Sequence, residues 1–228
     1  MAGIRERARA ENILQIKRLA REQLAVTGGP GLSLRAIARD LGMVSSAIYR
    51  YFPSRDDLLT ALIVDAYDSL GGAAELADAT VASRDVRLRW IAVGRSAYHW
   101  AAEHPSEYGL IFGTPVPGYA APPDTIGPAT RFTTVLLDLL VDAQRQGGTR
   151  AINTPISAET HHEFAGMRAR LAMDIDDQLL AAGLMSWITL FGAISFIQFG
   201  HFTNVIDDCD GYFEQLLDQL GVGVLGLA

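Results

Sequence analysis

Cysteine is nearly absent from this chain: Cys209 stands alone among 228 residues. An intrachain disulfide is therefore impossible, and a cysteine-based zinc site has too few ligands, which suits a reducing compartment. Sustained period-two alternation rich in β-branched residues is missing, so strands are not expected. Internal repeats and low-complexity tracts are missing too. The N-terminal run MAGIRERARAENILQIKRLA is charged throughout and lacks the apolar core of a secretory signal, so a cytoplasmic location is expected. Enzyme signatures are equally scarce, with no Gly-x-Ser-x-Gly elbow and no phosphate-binding loop. His162-Glu163 starts a zinc-protease-like pattern, but Gly166 stands where the second histidine is required. His99, Glu103 and His104 have a helical spacing that metal ligands use, yet a solvated helix end accounts for them more simply. No catalytic residue, metal or cofactor is expected, and a small helical enzyme is only a rival reading.

Positive charge is short overall, with a formal net charge of -7. Its distribution matters more than its sum. Residues 1–57 carry ten Lys/Arg against six Asp/Glu, whereas residues 58–228 carry nine against twenty. A polyanion is attracted to the first segment and repelled by the second. One long apolar run exists, Leu179 to Gly200, which holds no ionisable side chain and is long enough to span a bilayer. Its flanks are acidic, Asp174 to Asp177 before and Asp207 to Asp210 after, with no basic cluster to orient it. A buried helix of a soluble protein is the expectation.

Nearly every segment reads as helix, so an all-α fold is expected. The first helix, about 8–27, lines up Ile13, Ile16, Ala20 and Leu24, and Gly28-Gly29-Pro30-Gly31 ends it. Ser33 offers an N-cap to a short helix carrying Leu34, Ile37, Ala38 and Leu41, closed by Gly42. A second short helix, about Ser45 to Phe52, is stopped by Pro53. Ser54 and Asp57 fit a capping box for a helix over 54–70, with Gly71-Gly72 as the break. Further helices are predicted at about 84–104, 126–146, 157–173, 175–205 and 210–221. Six prolines between His104 and Pro128 exclude regular helix over most of that stretch.

Leu32 to Phe52 has the makings of a helix-turn-helix. Two short helices crossing steeply need a small residue at the crossing, a turn residue tolerant of positive φ, and an apolar contact closing the angle. Ala38, Gly42 and Ile48 meet those needs, with Ile37, Leu41 and Met43 as further core. The second helix is then the recognition helix for the major groove. On it, Ser45 and Ser46 suit phosphates or base edges, Ala47 a thymine methyl, and Arg50 guanine or a phosphate. Tyr49 and Tyr51 reach backbone oxygens, Tyr49 being the more exposed, while Phe52 packs inward. Arg55 at the next helix start, and Ser33 with Arg35 on the preceding one, form phosphate contacts that position without reading sequence.

The run LSLRAIARDLGMVSSAIYRYFPSRDDLL resembles the DNA-binding head of the TetR family over roughly residues 8–60. Ile48-Tyr49-Arg50-Tyr51-Phe52-Pro53-Ser54-Arg55 follows the family's Leu-Tyr-x-x-Phe-Pro-Ser/Asn-Lys/Arg pattern, with Ile48 in place of leucine. The resemblance implies phosphate contacts for Tyr49, Tyr51 and Arg55 and places Ser45 to Arg50 in the groove. It also implies two domains: a helix-turn-helix head over 1–57, with helix 54–70 as connector, and a helical effector-binding and dimerisation body over 58–228.

The body resembles the subgroup named for a Trp-His-Gly signature. Trp187-Ile-Thr-Leu-Phe191-Gly192 fits the spacing, with Phe191 where histidine is usual, and the loop His104 to Tyr119 is similar as well. Helices 175–205 and 210–221 are expected to pack against the same pair in a second copy, giving a homodimer on a palindromic, double-stranded operator. Trp100, Tyr108, Phe112, Tyr119, Phe132, Trp187 and Phe191 are candidates for the lining of a pocket for a small apolar effector. Repression is the family default, helix 54–70 is the lever, and an effector-independent dimer that binds DNA is the alternative.

Overall fold

A computed structural model describes residues 3–147, 149–151, 153 and 155–227. Among them every regular element is helical: α1 (Ile4–Thr27), α2 (Leu34–Asp40), α3 (Ser45–Ile48), α4 (Arg55–Ala79), α5 (Val86–Glu103), α6 (Pro105–Phe112), α7 (Ile126–Arg145), α8 (Ala158–Leu171), α9 (Asp177–Gln198) and α10 (Cys209–Gln219). Side-chain caps fix several starts. Ser33 accepts from the Ala36 N–H, Ser157 from Thr160, Asp176 from Gln178 and Leu179, and Asp208 from Gly211. Before α4, the Ser54 hydroxyl accepts from the Asp57 N–H at 3.1 Å and donates to the Asp57 carboxylate at 2.7 Å. Each such cap satisfies amide groups that the first turn leaves unpaired.

Several elements differ from the sequence expectation. Helix α1 begins a turn early, at Ile4, because the Glu6 carboxylate accepts from the Gly3 N–H at 2.8 Å and closes the extra turn. Helix α4 does not stop at Gly71-Gly72 but runs on to Ala79. Gly71 serves as a crossing point: a Cβ there would lie 2.5 Å from Cβ of Arg131 on α7, and Arg131 pairs with Glu75 at 2.6 and 2.9 Å. Helix α6 emerges inside the proline-rich stretch, with Pro105 in its first turn, where a missing N–H costs nothing. The expected helix 175–205 is regular only over 177–198, and α10 ends at Gln219 in a π-helical turn, Leu220–Val224.

The chain forms two compact units, residues 1–69 with 104–129 and residues 70–103 with 130–228. The first has a core of Ile16, Ala20, Ile37, Ala38, Ile48 and Leu58, each fully buried, onto which Leu110, Val116 and Tyr119 pack. Leu and Ile side chains buried this completely contribute about 1.5–3 kcal/mol apiece. In the second unit α5 and α10 run antiparallel. Trp90 Nε1 donates to the Leu217 carbonyl at 2.8 Å, Arg95 grips Glu214 through two 2.6 Å bonds, and Tyr98 stacks on Phe213 at 4.3 Å. The Tyr98 hydroxyl meets Asp210; partial burial, then that carboxylate, pushes the phenol well above its ordinary pKa. Arg89 of α5, 5% exposed, donates to both oxygens of Asp78 at 2.7 and 3.0 Å and to Asp142 at 2.9 Å, joining α4, α5 and α7 through a buried cation with two carboxylate partners.

Candidate nucleic-acid interface

Ala38 and Ile48 are both completely buried where α2 and α3 cross. The turn between them is closed by the Met43 N–H donating to the Ala38 carbonyl at 2.8 Å, and Gly42 has φ +65°. A Cβ at Gly42 would meet nothing within 4 Å, so the left-handed backbone itself calls for glycine there. The regular part of the recognition helix is shorter than the expected 45–52. After Ile48 it tightens, Arg50 N–H donating to the Ala47 carbonyl at 3.2 Å and Tyr51 N–H to Ile48 at 2.9 Å. Pro53 forbids continuation, and turns that bond three residues back let Phe52 fold into the core.

This geometry sorts the candidate DNA contacts by access. Ser45, Ser46, Tyr49, Arg50 and Arg35 are exposed, Ala47 and Ser33 are half-buried, and Ile48 between them is inside. Ser33, Arg35 and Arg39 of α2, with Val44 and Ser45, line an open trough of about 670 Å³. Two hydroxyls and two guanidinium groups border it, the kind of donor set that a phosphate backbone requires. Arg55, half-buried, donates to the Gly29 carbonyl at 2.7 Å, so it braces the glycine turn after α1 as well as standing at the start of α4.

Tyr51 is held rather than free. Its hydroxyl accepts from Asn12 Nδ2 at 2.9 Å, and the Arg9 guanidinium lies 5.5 Å from its ring centroid while donating to the Arg50 carbonyl at 3.3 Å. Arg9 and Asn12 were not among the sequence candidates, nor was Arg39. Extending the Ile16 stripe of α1 back through Asn12 and Arg9 would have found the first two.

The seven aromatic candidates for an effector pocket fall in both units. In the first, Tyr108 and Phe112 pack with centroids 5.0 Å apart, Tyr67 meets Phe112 edge-on at 6.4 Å, and the Tyr119 hydroxyl hydrogen-bonds Thr60 at 2.9 Å. In the second, Phe132 meets Phe191 edge-on at 5.1 Å, Phe191 meets Trp187 at 6.3 Å, and Trp100 is buried. Trp187 borders an apolar cavity of about 240 Å³ between α7, α8 and α9, with Leu137, Met167, Leu171 and Gly183 among its other walls. No group of three or more His, Cys, Asp or Glu suited to a metal ion occurs among the described residues.

Residues 16–62 match the family model described as bacterial regulatory proteins, tetR family, and residues 90–220 match that of the Tetracyclin repressor-like C-terminal domain. The second description carries no Trp-His-Gly subgroup. The chain is 42% identical over 205 residues to HTH-type transcriptional regulators of Mycobacterium tuberculosis and Mycobacterium bovis, covering 88% of this chain and 86% of each of theirs. It is similar to the crystal structure of the regulatory protein SCO4313, with a TM-score of 0.79 and 34% identity over 96% of this chain and 98% of that one. Its fold is shared with the TetR family regulator PfmR of Thermus thermophilus, with a TM-score of 0.61 and 18% identity over 90% and 96% of the two chains.

Proposed function

Because this chain belongs to the TetR family of transcriptional regulators and carries its DNA-binding helix-turn-helix, we propose that it acts as a repressor, binding a palindromic operator as a homodimer and releasing it when a small apolar effector binds. Repression, ligand binding and dimerisation are typical of the family. The observation that carries the reading is the division of labour on the recognition segment: Ser45, Ser46, Tyr49 and Arg50 lie outward while Ile48 and Phe52 anchor the segment inside. Ser33, Arg35, Arg39 and Arg55 position the backbone, and Arg9 and Asn12 set the direction of Tyr51.

The dimer reading rests on α9. In its most apolar stretch 33% of the residues are buried within the chain, and Ile188, Phe196 and Phe199 are exposed. A second copy covers that face more readily than lipid does, since Asp176 caps the start of the helix and acidic residues follow it. A regulator that reads the chromosome works in the cytoplasm. The effector reading rests on the cavity between α7, α8 and α9, whose walls favour an apolar molecule and whose volume lies just below the ordinary ligand range of about 300–1,000 Å³. To release DNA the effector must favour the DNA-incompetent form, typically by about 1–3 kcal/mol.

Selection of bound sequences from random duplex DNA, followed by stoichiometry on the best site, tests the proposal. A palindrome bound by two chains is expected. Enrichment of no sequence overturns the operator reading, and a single chain on an asymmetric site overturns the dimer.

A further inference from the structure

We propose that the first unit holds a second small-molecule site, for a neutral amphipathic ligand, in the cavity between the end of α1, the Gly28–Gly31 knuckle and the α6 segment. This cavity of about 440 Å³ is half open, and its walls include no ionisable side chain. Leu24, Pro30, Leu110 and Val116 offer apolar surface, while the hydroxyl-bearing Ser106 and Thr114 stand along the same wall. A carboxylate or ammonium group would give up water there without a counter-charge, whereas an apolar body bearing one hydroxyl or carbonyl would not. The volume falls within the ordinary range for small-molecule sites.

Three contacts hold the walls apart and in place. Val116 sits directly on Gly29, where a Cβ would come within 2.3 Å of its Cγ2. Arg21 of α1 pairs with Glu107 of α6 at 3.2 Å, and Thr60 hydrogen-bonds Tyr119 at 2.9 Å. The cavity is thus framed by fixed elements. Gly109, one of the lining residues, shows where the cavity reaches the α6 backbone. Glycine inside a helix is unfavourable relative to alanine, yet a Cβ at Gly109 would meet nothing within 4 Å. Packing within the chain does not call for glycine at this position, and the space it leaves open at the α6 backbone is available to the ligand. Since α1 belongs to the helix-turn-helix head, a ligand bridging it to α6 is coupled to DNA binding wherever the two states differ in this spacing. That consequence rests on the operator reading; the binding site does not.

The experiment titrates the full chain with 1-naphthol, neutral at pH 7, by calorimetry and by saturation-transfer NMR. Variants Gly109→Leu and Ser106→Trp fill this cavity, and Leu137→Trp fills the one between α7, α8 and α9. Thermal melting identifies the variants that remain folded, and either filling variant suffices. The expected result is wild-type affinity in Leu137→Trp, at least tenfold loss in the folded cavity-filling variants, and at least tenfold weaker binding of 1-naphthoate than of 1-naphthol. No binding of 1-naphthol to the wild type, or binding lost in Leu137→Trp and kept in Gly109→Leu, overturns the proposal. A chain that binds no DNA while 1-naphthol follows the expected pattern leaves this site standing and removes the operator reading instead.

Discussion

Asn12 on α1 donates a 2.9 Å hydrogen bond to the hydroxyl of Tyr51 at the end of the recognition segment, 39 residues further along the chain. The bond leaves the Tyr51 proton free to point at a phosphate oxygen while fixing where the ring stands. Asn12→Ala and Tyr51→Phe are each expected to weaken operator binding several-fold and to cost about 0.5–1.5 kcal/mol of stability, the net worth of one such bond. The double variant should lose little more than either single one, because both remove the same contact. Urea unfolding and DNA titration measure the two effects. If Asn12→Ala binds DNA normally while Tyr51→Phe does not, Tyr51 acts alone and Asn12 has no orienting role.

Arg50 and Arg35 are both exposed, but one lies on the recognition segment and the other beside the trough on α2. Arg50→Ala should lower the preference for the best selected site over its single-base variants by about 1–3 kcal/mol at one position. Arg35→Ala should weaken binding to all sequences alike and reduce the slope of log K against log salt by about one. Equal losses on every sequence from both changes would refute this division.

Gly71 and Gly72 are adjacent in α4 and should respond in opposite ways. A Cβ at Gly71 would lie 2.5 Å from Cβ of Arg131, whereas one at Gly72 would have only Arg131 Nη2 nearby, at 3.8 Å. Gly71→Ala is expected to destabilise by about 1–3 kcal/mol through overpacking. Gly72→Ala should stabilise by about 0.5–1 kcal/mol, since alanine suits a helix interior better. Thermal unfolding of the two variants decides it; a stabilising Gly71→Ala would mean that the α4–α7 crossing is not close.

That pair also shows where sequence reading reached its limit. The helix-turn-helix was legible because its determinants are local: Ala38, Gly42, Ile48 and Phe52 lie within fifteen residues, and each type has one structural use there. Gly71-Gly72 reads as a stop in any local window, and only Arg131, sixty residues away, turns Gly71 into a crossing point. In the proline-rich stretch the prolines were read as excluding helix, yet Pro105 opens α6, and Val116 and Tyr119 pack on the head's core because of partners at Gly29 and Thr60. The aromatic candidates were chosen by residue type, which carries no information about which rings meet.

Asp138 on α7 gives a pH test. Partial burial, then the like charge of Asp142, raises its pKa above the ordinary carboxylate value, although Arg89 acts the other way. A carboxyl raised in the folded state binds protons more tightly there than in the unfolded chain, so its ionised form costs stability at neutral pH and the cost vanishes as pH falls. Asp138→Asn should therefore be more stable than the wild type at pH 7, and the advantage should shrink as pH falls through the raised folded-state value and be gone below about 4, where the unfolded carboxyl is protonated as well. Denaturant midpoints across that range measure it. A pH-independent gain would point to packing instead of charge.

Phe191 stands four residues after Trp187 on α9, and its surroundings show what phenylalanine does there. The ring is 8% exposed, edge-on to Phe132 at 5.1 Å and near Trp187 at 6.3 Å, so it fills an aromatic contact in the second unit. Phe191→His removes apolar area and sets a polar ring among aromatic neighbours, a change expected to cost about 1–3 kcal/mol. Burial disfavours the charged imidazole, so the folded-state pKa of the new group should lie below its unfolded value of about 6.5. The neutral ring then makes no charge-related demand at pH 8, and the destabilisation relative to the wild type should deepen as pH falls through that value. Urea unfolding of the variant and the wild type at pH 8 and pH 5.5 reads the difference. A loss equal at both pH values would show that the imidazole stays solvated, and no loss at either would show that this contact accepts a polar ring and that phenylalanine is not what holds it together.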